Sequence, residues 1–215
     1  MLFEQIATGG CQSYLIGCKE TCAAVLIDPE ISQMDRYRAL ASRHGLRFHY
    51  VVDTHTHADH FSATQQIGHQ LRVPIAMHQE SPQPFVDMRL GDRELIVLGR
   101  LRIQVLHTPG HTRDSMCLQV EDRVFTGDTL LIGATGRTDL PTGDPAALHD
   151  SLFNRLLRLD PALKVFPAHD YKGRSHSTIE QELATNPRLQ KRDREAFVEM
   201  MRSLNLSMPT HITEA

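Results

Sequence analysis

The stretch VVDTHTHADHF, Val51 to Phe61, directly follows an apolar run and crowds three histidines and two aspartates into its centre. Such crowding costs folding free energy unless something binds the groups, because buried polar groups need partners and buried carboxylates need a counter-charge. A metal cation is the simplest occupant. His55 and His57 are two apart, so in an extended segment their rings fall on the same side, and Asp59 and His60 follow where the chain turns toward a helix. The later candidates are His111 in TPGHT, Asp128 in TGDT and His169 in PAHD, each just after a β-rich run. Gly110 and Gly127 let the backbone bend tightly beside two of them. Taken singly, His111 or His169 is ordinarily a satisfied surface or core histidine, and Asp128 a turn former. His44, His49, His69, His78, His107, His149, His176 and His211 are assigned no chemistry.

The elements that must position these residues are short. QSYLIGC and CAAVLIDPE are rich in β-formers and separated by the polar KET, a hairpin pattern, and Asp28-Pro29 stops the second strand. From Ser32 to Gly45 a capping serine, apolar residues at helical spacing and a closing glycine predict a helix, which returns the chain to a strand in RFHYVVDT. Phe61 to Leu71 has weak helical periodicity, and VPIAMH is another short strand. RELIVLG, LRIQVLHTPGH and SMCLQVEDRVFTGDTLL alternate strands with tight turns, and a helix is expected from Pro145 to Leu159. KVFPAHDY is one more strand, and the tail from Thr178 is helical in pattern and charged around QKRDRE. Strands and helices thus alternate, with polar clusters recurring where strands stop, as in a layered α/β domain whose site is built from loops at one sheet edge.

Composition narrows the function. The chain has 215 residues, 40% hydrophobic and 23% charged, within the range of one domain with a sizeable core. A formal charge of −3 gives no reason to expect nucleic-acid or anionic-membrane binding. No window approaches a membrane span and MLFEQIATGG lacks the marks of a signal peptide, so a cytoplasmic protein is expected. Cysteines at 11, 18, 22 and 117 have neither disulfide-scaffold nor zinc-finger spacing and read as reduced thiols; the compositional anomaly is the 13 histidines.

Together, THTHADH, HTPGHTRDS, FTGDTLL and FPAHD, in this order and spacing, resemble the metallo-β-lactamase superfamily across nearly the whole chain. The resemblance implies a single domain over residues 1–215, an αββα sandwich of two mixed β-sheets face to face with helices outside and a metal site at one edge. It implies that His55, His57, Asp59, His60, His111, Asp128 and His169 are the seven site residues. These seven alone leave the reaction open. If all seven ligate, two metal ions share Asp128 and activate a hydroxide for hydrolysis, as in glyoxalase II acting on a glutathione thioester. If only His55, His111 and Asp128 ligate, the result is a two-histidine, one-carboxylate face suited to ferrous iron, O₂ and a substrate thiolate.

Residues outside the seven tilt the choice. LLIGATGRTDLPTGD after Asp128 and YKGRSHSTIEQELATNPRL after His169 resemble the persulfide dioxygenases, which convert glutathione persulfide, O₂ and water to glutathione and sulfite. This resemblance implies one Fe(II) per chain on His55, His111 and Asp128, with His57, Asp59, His60 and His169 around it. The alternative is a hydroxyacylglutathione hydrolase with two zinc, iron or manganese ions. That branch usually reads glycine-arginine followed by two aromatics and carries a longer helical C-terminal domain. Here Thr138 and Asp139 follow Arg137, and about 45 residues remain after His169. A third reading, a non-catalytic binding or sensor module on the same fold, is opposed by the intact ligand positions. The family often has Gly-Cys-Gly-Arg where this chain has ATGR, Ala134 to Arg137. For the substrate, Arg137 is the first candidate to grip a carboxylate bidentately and Tyr171 to hydrogen-bond the substrate; Lys172, Arg174 and Arg188 are weaker cationic candidates. A coenzyme A or small bacterial thiol carrier, a rhodanese-like sulfurtransferase as persulfide source, and a homodimer are left open.

Overall fold

In the computed structural model, which describes residues 1–57, 63–190 and 192–206, the β-rich runs assemble into two six-stranded sheets. The first contains, in spatial order, β1 (Leu2–Thr8), β2 (Cys11–Cys18), β3 (Ala23–Ile27), β4 (Arg47–Val52), β5 (Ile75–His78) and β6 (Met88–Leu90). Its first three strands are antiparallel neighbours, and from β3 to β6 the pairing is parallel. In the second sheet β7 (Leu95–Leu98), β8 (Leu101–His107), β9 (Met116–Val120) and β10 (Arg123–Gly127) form an antiparallel meander. A small hairpin, β11 (Leu130–Leu131) and β12 (Ala134–Thr135), then projects near the sheet edge where the site lies. Beyond it, β13 (Lys164–Pro167) pairs in parallel with β10, and β14 (Ser177–Thr178) closes that side.

Strand alternation sorts the core into three layers. Along β3, Ala23, Val25 and Ile27 point between the sheets, while Ala24 and Leu26 point outward under α1 (Met34–Arg43) and α2 (Thr64–Leu71). Both faces are covered, so β3 reads as a continuous apolar run rather than an alternating one. In β9, Met116, Leu118 and Val120 join the inner cluster, and Cys117 faces the outer layer formed by α3 (Pro145–Phe153), α4 (Ile179–Thr185) and α5 (Arg194–Arg202). The architecture is the expected αββα sandwich of two mixed sheets. Among the described residues no helix is long and apolar enough to cross a membrane.

Local differences have physical causes. The first helix is entered through a 3-10 turn over Ile31–Gln33 whose cap is Glu30, its side chain accepting from the Ser32 N–H; Ser32 is not the cap. The helix expected to reach Leu159 stops at Phe153, because Asn154 ends the α-turns and Arg155 leaves the helical region at φ −133°, ψ −74°. Strand β1 had no counterpart among the expected elements. It is an edge strand, mostly half-exposed and defined by its pairing with β2.

Candidate metal centre

Four segments meet at one edge where strands of both sheets end. β4 runs into residues 53–57, β8 into 108–112, β10 into Asp128 and β13 into His169. The two sheets are tied together here by the Met116 N–H donating to the Thr54 carbonyl at 2.9 Å and by the Gln12 N–H donating to the Ala168 carbonyl at 2.7 Å. Gly110, at φ +138°, has Leu148 backbone atoms 2.3–2.4 Å from where a Cβ would sit, so only glycine lets α3 pack against the turn that presents His111.

His55, His111 and Asp128 each aim one donor atom into a shared volume, all within 4.8 Å of one another. Nε2 of His111 lies 3.6 Å, and Nε2 of His55 4.0 Å, from the same Asp128 oxygen, Oδ2. The opposite ring nitrogens are occupied. Nδ1 of His111 is 2.8 Å from the Arg137 carbonyl, which can only accept, so Nδ1 carries the proton and Nε2 keeps its lone pair. Nδ1 of His55 is 2.9 Å from the Thr54 hydroxyl. Asp128 uses its other oxygen, Oδ1, for His169 Nδ1 at 2.7 Å. Two imidazoles and one carboxylate, all held from behind, fit a first-row divalent transition ion better than magnesium or calcium, which take all-oxygen sets.

His57 is adjacent to His55, ring centroids 4.2 Å apart, yet its Nε2 lies 3.4 Å from Asp28 Oδ1 and 3.8 Å from Asp53 Oδ1. Asp28, Asp53 and His57 form a second group of donor atoms. Its carboxylates also accept from Thr54 and Thr64 hydroxyls. Asp59 and His60 lie outside the described residues.

The electrostatics favour a cation. Burial lowers the His55 pKa well below the ordinary imidazole value, and the neighbouring His57 adds to the shift against the pull of Asp128. Burial alone would raise Asp128, but His169, His111 and His55 outweigh it and hold the carboxyl below the usual range. At neutral pH the His55 ring is therefore uncharged, and Asp128 is ionised.

The substrate candidates are placed unequally. The Arg137 guanidinium is already gripped at both ends by Asp139, at 2.6 and 2.7 Å, while its carbonyl orients His111. Arg188 is turned to the Thr135 carbonyl at 2.8 Å and supports β12. Arg174 bonds Asp170 and the Ile132 carbonyl. Tyr171 is 73% exposed, its ring nearly parallel to His169 at 6.0 Å. That ring rests on Gly10, where a Cβ would fall 2.5 Å from Tyr171 Cδ1. Lys172 is exposed beside it, its backbone N–H donating to Asp170.

Residues given no role from sequence hold the loops that carry His55 and His111. Asp114, buried, accepts from the Thr56 N–H and hydroxyl and from the Thr112 hydroxyl, joining the His55 and His111 loops. Asp28 accepts from the Thr54 N–H and hydroxyl. The signal was present in the alternation of threonine with histidine in THTH, but the aspartates that answer it are distant in sequence.

Comparison with known proteins gives the same picture. The model of the family described as the metallo-beta-lactamase superfamily matches residues 6–169. Over 202 residues, 93% of this chain and 79% of the relative, the sequence is 35% identical to the mitochondrial persulfide dioxygenase ETHE1 of Mus musculus. It is 38% identical to a hydroxyacylglutathione hydrolase of Anaeromyxobacter dehalogenans, over only 69% of this chain and 57% of the hydrolase. The crystal structure of ETHE1 from Myxococcus xanthus superposes with a TM-score of 0.96 at 38% identity, covering 100% of this chain and 96% of that one.

Proposed function

The chain belongs to the metallo-beta-lactamase superfamily, and on that premise we propose that it is a non-haem iron persulfide dioxygenase, oxidising glutathione persulfide or a related low-molecular-weight persulfide to sulfite and the thiol. The observation that carries this reading is the division of labour around Asp128. His55 and His111 face Oδ2, His169 takes Oδ1, and His57 faces Asp28 and Asp53. This favours a three-residue site over a seven-residue dinuclear one. The likeness to the persulfide dioxygenases, which extends over more of both chains than the likeness to the hydrolase, supports it further.

His55, His111 and Asp128 would hold the ion, leaving positions open for substrate sulfur and O₂. Ferrous iron, when bound, supplies the redox chemistry that lets O₂ oxidise the outer sulfur. The protein's own residues bind and orient. His169 fixes the carboxylate plane, the Arg137 carbonyl fixes the His111 ring, and the exposed Tyr171 and Lys172 offer a hydroxyl and an ammonium to a polar, anionic thiol carrier. With Arg137 already paired to Asp139, Lys172 is the better placed partner for a substrate carboxylate.

The test is metal content and stoichiometry together. Protein purified without added zinc is expected to contain about one iron per chain, and with glutathione persulfide in an oxygen-electrode cell to form sulfite and consume O₂ in a roughly one-to-one ratio. Two metal ions per chain with rapid, oxygen-independent cleavage of S-lactoylglutathione would hand the protein to the hydrolase reading.

A further inference from the structure

An imidazole that ligates through Nε2 must carry its proton on Nδ1, and something must accept that proton's hydrogen bond. For His111 the acceptor is a carbonyl, so the tautomer is decided. For His55 the neighbour at Nδ1 is the Thr54 hydroxyl, at 2.9 Å, which is able to donate or accept. The direction depends on where the single hydroxyl proton goes. Thr54 Oγ1 lies 3.0 and 2.9 Å from the two carboxylate oxygens of Asp28, and the Thr54 N–H donates to the same carboxylate at 2.7 Å. A carboxylate only accepts, so the hydroxyl proton is committed to Asp28, and the oxygen meets His55 with a lone pair.

We propose that Asp28 and Thr54 are positioning residues that together hold the Nδ1–H tautomer of His55 and thereby turn its Nε2 lone pair into the metal site. The inference rests on the reading that His55 is a metal ligand. Both members are fixed in place. Thr54 is fully buried and packs on Gly127, where a Cβ would fall 2.6 Å from its hydroxyl oxygen and 3.4 Å from His55 Nδ1. Asp28 sits at φ +47°, a region aspartate tolerates better than most residues, with its N–H donating to the Val52 carbonyl at 2.9 Å and its carbonyl accepting from Ser13 at 2.7 Å. The same Oδ1 lies 3.4 Å from His57 Nε2, so Asp28 also meets the second histidine of the motif.

The proposal distinguishes three substitutions. Thr54→Val keeps the shape and removes the hydroxyl, and is expected to weaken metal affinity about 10–100-fold. Thr54→Ser restores the relay and is expected to stay within roughly threefold of wild type. Asp28→Asn presents an N–H to the hydroxyl, which can then donate to Nδ1 and favour the wrong tautomer, so it is expected to weaken affinity at least as much as Thr54→Val. Affinity is read by chelator competition for cobalt(II) or iron(II), and the tautomer by ¹⁵N NMR of the histidines in metal-free protein. His55 is expected as Nδ1–H in wild type and Thr54→Ser, with the proton shifting to Nε2 in Thr54→Val. Nε2–H in metal-free wild type overturns the relay, even if no variant folds. Unaltered affinity in Thr54→Val overturns it too. Unaltered affinity in His55→Ala would instead remove His55 from the ligands and sink the reading beneath.

Discussion

His169 sits against the oxygen of Asp128 that the other two histidines leave free, and its role follows from that contact. A bond of 2.7 Å from Nδ1 to Oδ1 sets the plane of the carboxylate without requiring the histidine to ligate. His169→Ala is therefore expected to retain most of its iron at saturating metal while turnover falls by about 10–100-fold, as outer partners of metal ligands typically do. His55→Ala, His111→Ala and Asp128→Ala should each lose both iron and activity. Elemental analysis of the four variants separates the cases, and complete metal loss in His169→Ala would favour a dinuclear site.

The small hairpin after β10 matters because its return leg passes directly under Asp128 and His111. Gly136, just past β12, leaves no room for a side chain; a Cβ there would come 2.0 Å from the Asp128 carbonyl oxygen and 3.0 Å from His111 Cγ and Nδ1. Alanine at this position must push the segment outward, taking with it the Arg137 carbonyl that holds His111. Gly136→Ala is expected to lower metal affinity by about 10–100-fold. Gly91→Ala, whose Cβ would have Glu94 and Gln79 atoms as its nearest neighbours at an ordinary 3.5–3.7 Å, is the control and should bind as wild type. Wild-type affinity in Gly136→Ala, measured by the same competition assay, would remove the hairpin from the site. Within this element the departure at Ala134 and Thr135 is accommodated: the Thr135 carbonyl accepts from Arg188 and its hydroxyl from the same guanidinium at 3.2 Å.

Across the whole molecule, the two sheets are joined at β5 and β8 by stacking of their last residues, His78 and His107, whose rings lie 3.8 Å apart at 12°. Burial first, and then the neighbouring His107, push the His78 pKa down to about 4. Unfolding returns it to the ordinary value of about 6.5, so between these values the unfolded chain binds the extra proton and stability falls as pH falls. Above that window the group contributes no slope. At pH 5 the loss attributable to His78 is about 2 kcal/mol. Urea denaturation of the metal-free protein at pH 7 and pH 5 should show His78→Gln losing correspondingly less stability than wild type over the interval. Equal losses would mean that His78 is not the group that resists protonation.

That His55, His111 and Asp128 come together was legible because the cues are local. His55, His111 and Asp128 each stand where a β-rich run stops, and strand ends gathered at one edge of a layered fold converge. The buried strands were legible for the same reason, since their apolar character does not depend on a partner. Edge strand β1 was not, because only its ladder with β2 defines it. Nor was the division of roles among the polar residues. Nothing in FPAHD tells whether His169 ligates or holds the far oxygen of Asp128, and nothing in ATGRTD tells that Arg137 meets Asp139 with its fork and His111 with its carbonyl. Asp28 and Thr54 are separated by 26 residues, and Thr56 and Asp114 by 58. The sequence determined which groups are present and which strand ends carry them. Which nitrogen keeps its proton and which oxygen remains free are properties of contacts between segments distant in sequence, and those exist only once strands such as β3 with β4 and β10 with β13 have paired and, for Thr56 with Asp114, the two sheets have met.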